Sequence, residues 1–210
     1  MIQVFIADDH AIMRAGLREI LESVSDIKVV AEAEDGQQVL TQLDDFNWDI
    51  LLLDLTMPGV NGIDLIKRVK VKRPNARILV LSMHNEDQFA VRSLRAGASG
   101  YLTKDSAPDL LLSAIRRVAN GGKHISRALT EKLAFDLDPF KESSGHDRLS
   151  DREFEVLRLI VSGKSITEIA TELMLSVKTV STHKRRMMQK LNIKNNVELI
   201  QYSLNNNLFG

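Results

Sequence analysis

Short apolar runs separated by segments of helical period dominate the first 120 residues. Val4–Ala7, Val29–Ala33, Ile50–Asp54, Ile78–Ser82 and Gly100–Thr103 are each bounded by polar or turn residues. The segments between them, roughly 10–14 residues each, repeat apolar positions at helical spacing, which is the pattern of βαβ units around a parallel sheet. In the first of these helices Ile12, Leu17, Ile20, Leu21 and Val24 are expected to form the buried stripe. Right-handed crossovers then give an α/β domain with a doubly wound, five-stranded parallel sheet over residues 1–121.

Gly121-Gly122 ends the fifth helix, and the periodicity fades. Residues 122–147 read as a linker, with a short helix around Leu129–Phe135, then Asp136-Leu137-Asp138-Pro139 and the polar stretch Glu142-Ser143-Ser144-Gly145-His146. From 148 to 210 the pattern is all helical. Ser150 with Glu153, Ser165 with Glu168 and Asn195 with Glu198 have capping-box spacing. Ser176 caps a further helix alone, and Gly163 stops the first. Four short helices in this space form an all-α unit.

Composition and charge sharpen this division. A hydrophobic content of 44% suffices for packed cores. The apolar runs fall far short of the ~20 residues a membrane span needs. Met1–Ile6 leads straight into Asp8-Asp9 without a basic segment or cleavage site, and there is no cysteine, so a cytoplasmic protein is expected. The zero net charge hides a split: residues 1–120 carry a net −3 and residues 148–210 a net +4. Six basic residues and no acidic one lie between Lys178 and Lys194, which points to an anionic partner for that half.

In a parallel sheet of this kind ligands bind beyond the carboxyl ends of the strands. Asp8 and Asp9 follow the first strand, Asp54 ends the third, Ser82 ends the fourth and Lys104 follows the fifth. With strand order 2-1-3-4-5 all five converge on one edge. A lone strand-terminal Asp more often caps a helix. Three carboxylates together, however, repel one another and call for a cation. Oxygen ligands suit Mg²⁺. A carboxylate can serve as nucleophile to form an aspartyl-phosphate, with Lys104 and Ser82 meeting the phosphoryl oxygens.

Ala7-Asp8-Asp9-His10, Leu53-Asp54-Leu55-Thr56-Met57-Pro58-Gly59, Leu81-Ser82 and Gly100-Tyr101-Leu102-Thr103-Lys104 resemble the receiver domains of two-component response regulators, over about residues 1–120. The resemblance implies a flavodoxin-like fold with Asp54 as phosphoacceptor. It implies Mg²⁺ held by Asp9, Asp54 and the backbone carbonyl of Thr56, with Asp8 acting through water. It also implies that Ser82 and Tyr101 switch together, and that Thr56 and His84 flank the path of the hydrolytic water. Such a protein is not an enzyme in the ordinary sense: it takes a phosphoryl group from a sensor histidine kinase or a small donor, and slowly loses it.

Ile166, Ile169, Ala170 and Leu173 form the stripe of a core-facing helix, and Met174-Leu175-Ser176 turns the chain into the helix Val177–Leu191. On a wheel, Val180, Met187 and Leu191 share one face with His183 at its edge. Lys178, Ser181, Thr182, Arg185 and Gln189 lie opposite, with Arg186 and Lys190 flanking them. A helix anchored by one face with a basic, hydrogen-bonding face free suits the major groove of double-stranded DNA. Arg186, Lys190 and Lys194 are expected on phosphates. Thr179 joins the candidate contacts.

Leu149-Ser150-Asp151-Arg152-Glu153, Gly163, Ile169-Ala170, Ser176-Val177-Lys178-Thr179-Val180, His183 and Lys190-Leu191 resemble the LuxR-type helix-turn-helix domain, and the two parts together resemble the NarL/FixJ class of response regulators. The family's DNA-bound homodimer contact resembles the last helix, with Val197, Ile200 and Leu204. Those three serve equally well as intradomain core. An aspartyl-phosphate phosphatase of the haloacid-dehalogenase type is the main alternative. It would place its nucleophile on the first strand in an Asp-x-Asp motif, and it leaves the basic helical half unexplained. A protein-interaction module without DNA is a further alternative, disfavoured by the helical wheel.

Overall fold

Strand β3 (Ile50–Asp54) is buried along its whole length, as a central strand covered by helices on both faces must be. It lies between β1 (Ile2–Ala7) and β4 (Ile78–Ser82). Outside them run β2 (Ile27–Ala33) and β5 (Gly100–Thr103), all parallel in the order β2-β1-β3-β4-β5. The helices between and after the strands are α1 (Ala11–Glu22), α2 (Gly36–Gln42), α3 (Gly62–Lys72), α4 (Asp87–Arg95) and α5 (Pro108–Ala119). This computed structural model describes residues 1–83, 87–126, 129–131 and 145–209. The chain divides into two units, Met1–Leu133 and Ala134–Gly210.

In the first unit α1 and α5 cover one face of the sheet, closing a core that includes Val4, Ile6, Leu21, Leu52, Leu79 and Ile115. Asn61 caps α3, its Oδ1 accepting from the backbone of Ile63 and Asp64. A side chain at Gly62 would meet Leu55 at 2.6 Å, so only glycine lets α3 start this close behind the end of β3. Ile12 departs from its expected place. It is 90% exposed, whereas Leu17 and Leu21 are buried and Met13, Ile20 and Val24 half-buried. Nine residues, or two and a half helical turns, separate Ile12 from Leu21, which puts them on opposite sides of α1.

The expected linker also differs at both ends. His124 forms a parallel bridge with Gly100, and Leu129 is buried with Ala90 and Val91 of α4. Residues 129–131 are helical, and the rest of the short helix expected to Phe135 lies outside the described residues. At the other end Gly145–Arg148 forms a 3-10 turn with His146 buried. Single anchoring side chains need no periodic pattern, so sequence periodicity could not reveal them.

The second unit continues with α6 (Asp151–Val161), α7 (Ile166–Glu172), α8 (Val177–Leu191) and α9 (Asn196–Asn205). Ser150/Glu153 and Ser165/Glu168 are complete capping boxes. The third is not: Asn195 caps the Glu198 amide, but Glu198 reaches back to the amide of Lys194 rather than that of Asn195. Phe154, Leu157, Ile169, Val180, Met187 and Leu199 fill the core. The turn between α7 and α8 is tight enough to hold Met174 at a φ of 51°.

Candidate functional site

Sheet register builds an acidic pocket. Ala7 pairs with Leu53 and Asp54 with Leu81, so Asp8 emerges level with Asp54 at the carboxyl edge. Ser82 pairs with Thr103, and the Lys104 amide donates to the Ser82 carbonyl at 2.8 Å. Lys104 turns inward, with its side chain only 3% exposed. Its Nζ donates to Asp54 Oδ2 at 2.8 Å and lies 2.6 Å from Asp8 Oδ2. Burial by itself would lower the pKa of this lysine. The two carboxylates outweigh that and hold it above its ordinary value, so the ammonium stays charged.

Three carboxylates meeting one ammonium leave two negative charges, the charge of one divalent cation. Oδ1 of Asp9 is shut off from solvent and accepts no hydrogen bond among the described residues; the His10 ring nitrogen stands 2.9 Å away. Ligand atoms of Asp8, Asp9, His10 and Asp54 all lie within 4.8 Å of one another. This carboxylate-rich donor set fits a hard divalent ion such as Mg²⁺. The Thr56 hydroxyl donates to the Asp54 carboxylate, 3.0 and 2.9 Å from its two oxygens, and the Thr56 amide donates at 3.2 Å. Arg14 steadies the turn from outside: Nη1 donates to the Asp8 carbonyl at 2.8 Å, while Nε and Nη2 bond Glu32 and Glu34.

The second unit presents a basic groove. Lys178, Ser181, Arg185, Arg186 and Gln189 are exposed on α8, opposite the buried Val180 and Met187. A groove of about 600 Å³ runs along the carboxyl half of α8, lined by Ile166, Ser181, Lys184, Arg185, Gln189 and Lys194 among others, with no acidic residue. His183 is half-buried. Burial, then the nearby Arg152, depresses its pKa, which favours a neutral packing residue.

Comparison with known proteins agrees with both halves. Residues 4–116 match the family model for the response regulator receiver domain, and residues 147–203 match that for bacterial regulatory proteins of the luxR family. The chain is a response regulator of the NarL/FixJ class. It is 36% identical to the response regulator UvrY of Escherichia coli K12 over 99% of this chain and 96% of that one. It is 37% identical to the oxygen regulatory protein NreC of Staphylococcus carnosus over 98% of each. Among solved structures, Salmonella typhimurium RcsB aligns with a TM-score of 0.71 at 34% identity, covering 96% of each chain. RcsB bound to the promoter P1flhDC with the phosphomimetic BeF₃⁻ aligns at 0.67 and 35%, covering 96% of this chain and 97% of that one. This response regulator therefore joins a receiver to a LuxR-type DNA-binding domain and is a transcriptional regulator.

Within the response regulator, Asp8, Asp9, Asp54, Thr56 and Lys104 come together as their sequence positions implied. Ser82 is fully buried, and Tyr101 is half-buried against Ala90, Val91 and Leu129. His84 lies outside the described residues. Three of the candidate DNA contacts are engaged inside the domain, among them the Thr182 hydroxyl, which donates to the Lys178 carbonyl at 2.9 Å. Lys190 donates to Glu153 Oε2 at 2.6 Å and to the Arg148 carbonyl at 3.1 Å, so its ammonium braces α8 against α6 rather than standing free for a phosphate. The Thr179 hydroxyl lies 2.7 Å from Ser176 Oγ, within the helix cap. Val197, Ile200 and Leu204 are exposed, which overturns the reading of these three as intradomain core. His10, Arg14 and Lys184 were missed. His10 was visible as the residue closing the acidic turn, and Lys184 as part of the basic run. Nothing in the sequence marked Arg14.

No helix among the described residues is long and apolar enough to cross a membrane.

Proposed function

We propose that Asp54 accepts a phosphoryl group, from a partner histidine kinase or from a small donor such as acetyl phosphate. In this reading the phosphorylated protein binds double-stranded DNA as a homodimer through α8, in the cytoplasm. The observation that carries this is the buried Lys104 bridging Asp8 and Asp54 at the carboxyl edge of the sheet.

One oxygen of the Asp54 carboxylate forms a bond to phosphorus while the bond from phosphorus to the donor breaks, and the electron pair leaves with the donor. The Thr56 hydroxyl and amide orient the carboxylate for this attack. Lys104 passes from the carboxylates to the phosphoryl oxygens, and Ser82 donates to another, with Tyr101 following it inward. Mg²⁺, when held by Asp9, Asp54 and the Thr56 carbonyl with Asp8 acting through water, supplies charge neutralisation of the phosphoryl oxygens. Slow self-dephosphorylation is tuned at Thr56 and His84.

On DNA, Lys178, Ser181, Thr182, Arg185 and Gln189 face the bases, while Arg186, Lys184 and Lys194 meet phosphates. The exposed stripe Val197, Ile200 and Leu204 on α9 supports a two-fold contact between copies, and two-fold dimers read paired half-sites. The test is labelling by acetyl phosphate with Mg²⁺. Asp54→Asn abolishes the hydroxylamine-labile label, while Asp9→Asn raises the Mg²⁺ concentration required. Undiminished labelling of Asp54→Asn overturns the assignment.

A further inference from the structure

β5 is the edge strand of the sheet, and an open strand edge leaves a row of unpaired backbone groups. Here the chain covers that edge with itself. Having left α5, it returns along β5: the His124 amide donates to the Ser99 carbonyl at 3.0 Å, and the Tyr101 amide donates to the His124 carbonyl at 3.1 Å. Gly100 makes the approach possible, since a side chain there would meet the His124 carbonyl oxygen at 2.8 Å. Farther on, Ile125 and Leu129 pack on Ala90 and Val91 of α4 in a small apolar cluster that Tyr101 also joins. This cluster stands apart from the main core of the unit. A cavity of about 310 Å³ lies alongside, lined by Tyr101, Thr103, Ser106, Leu110 and His124 among others. The attachment is made by the His124 backbone and this small apolar cluster, a limited set of contacts of the kind that opens locally.

The same four-residue strand leads into the acidic pocket. Lys104 directly follows β5, bonds Asp54 through its side chain and Ser82 through its amide. Whatever moves the Lys104 ammonium pulls on one end of β5, and the covering segment is bonded near the other end.

We infer that residues 123–126 and 129–131 form a detachable strap docked on β5 and α4, and that a phosphoryl group on Asp54 loosens it through Lys104 and β5. The strap is the last described stretch of the first unit before the chain passes into the second, so its attachment sets how freely the DNA-binding unit is tethered. This rests on the reading of Asp54 as phosphoacceptor.

Hydrogen exchange on the full chain, with and without beryllofluoride and Mg²⁺, tests the inference. The Tyr101 and His124 amides are expected to exchange at least ~10-fold faster with beryllofluoride, and Asp54→Asn removes the acceleration. Leu129→Ala gives the fast exchange without beryllofluoride, and its DNA affinity, read by fluorescence anisotropy, no longer rises when beryllofluoride is added. Leu129→Met keeps the wild-type response. Unchanged or slower exchange in the wild type with beryllofluoride overturns the strap, and so does a full beryllofluoride response in Leu129→Ala. If the wild type fails in this way while its DNA affinity still rises with beryllofluoride, only the strap is lost. If acceleration and affinity response are both intact in Asp54→Asn, the phosphoacceptor reading falls, and the strap inference with it.

Discussion

Replacing Lys190 by methionine separates a brace within the domain from a contact to DNA. The methylene stem is largely kept, and Glu153 Oε2 and the Arg148 carbonyl lose the ammonium that donates to them. Breaking a fully buried pair costs about 3–5 kcal/mol, and an exposed pair contributes about 0–1 kcal/mol. Glu153 has a side chain only 4% exposed, but that of Lys190 is 40% exposed and water screens it. Glu153 also keeps its capping bond from the Ser150 amide at 2.8 Å. The loss therefore falls between the two limits, at about 1–2 kcal/mol. For a unit of this size that lowers the melting transition by about 4–16 °C, measurable by calorimetry on the full chain. DNA binding titrated against salt should show a slope close to that of the wild type. Arg185→Met has the opposite profile: an unchanged transition, with either a slope smaller by about 0.9 if it meets a phosphate, or a loss of about 1–3 kcal/mol confined to the specific duplex if it reads a base. If Lys190→Met lowers the slope by about 0.9 and leaves melting untouched, the brace is refuted and the ammonium leaves Glu153 on binding.

The same pair predicts an acid limb. Burial raises the Glu153 pKa, but the bonds from Lys190 and Ser150 more than offset it and leave the group below its ordinary value of 4.5. Its stabilisation is then complete above that value and is lost as pH falls through the lower folded value. Melting of the second unit followed from ~pH 6 to ~pH 3 should show this loss, and Glu153→Gln should remove that part of the dependence; an unaltered acid limb in the variant contradicts it. Thr56→Ala, by removing the hydroxyl bonded to Asp54, should change the decay rate of the acyl phosphate while leaving labelling possible, and an unchanged decay would reduce Thr56 to a loop residue. Val197→Ser with Leu204→Ser on α9 should weaken binding to paired half-sites by about tenfold or more with little change in melting, since both side chains are already exposed. A large fall in melting temperature would return them to the core.

The carboxylate pocket was legible because each member sits at a strand end. Periodicity marks where strands stop, and a parallel sheet brings those ends to one edge whatever the side chains in between. α8 was legible for a related reason: a helix has a fixed angular step, so Val180 and Met187 declare one face buried and Arg185 and Gln189 declare the other free. The same rule misled for Ile12, because a stripe drawn over too many turns drifts around the helix. It was also incomplete for Lys190, because a wheel shows which way a side chain leaves its own helix but not what a second helix brings to meet it.

The amino-acid sequence by itself determined the two units, the strand ends that carry the pocket's residues, the phosphoacceptor candidate and the helix offered to DNA. These depend on local period and on the ends of elements. Tertiary structure alone decided that Lys104 bridges Asp8 and Asp54, that Arg14 holds the Asp8 turn, that Lys190 belongs to Glu153, and that His124 closes the edge of β5. Apart from the six-residue reach of Arg14 to Asp8, each of these is a contact between residues far apart in the chain, and all are made by one or two polar or apolar groups with no repeat to announce them. Their energies depend on burial and distance, which exist only once the sheet and the helices have packed.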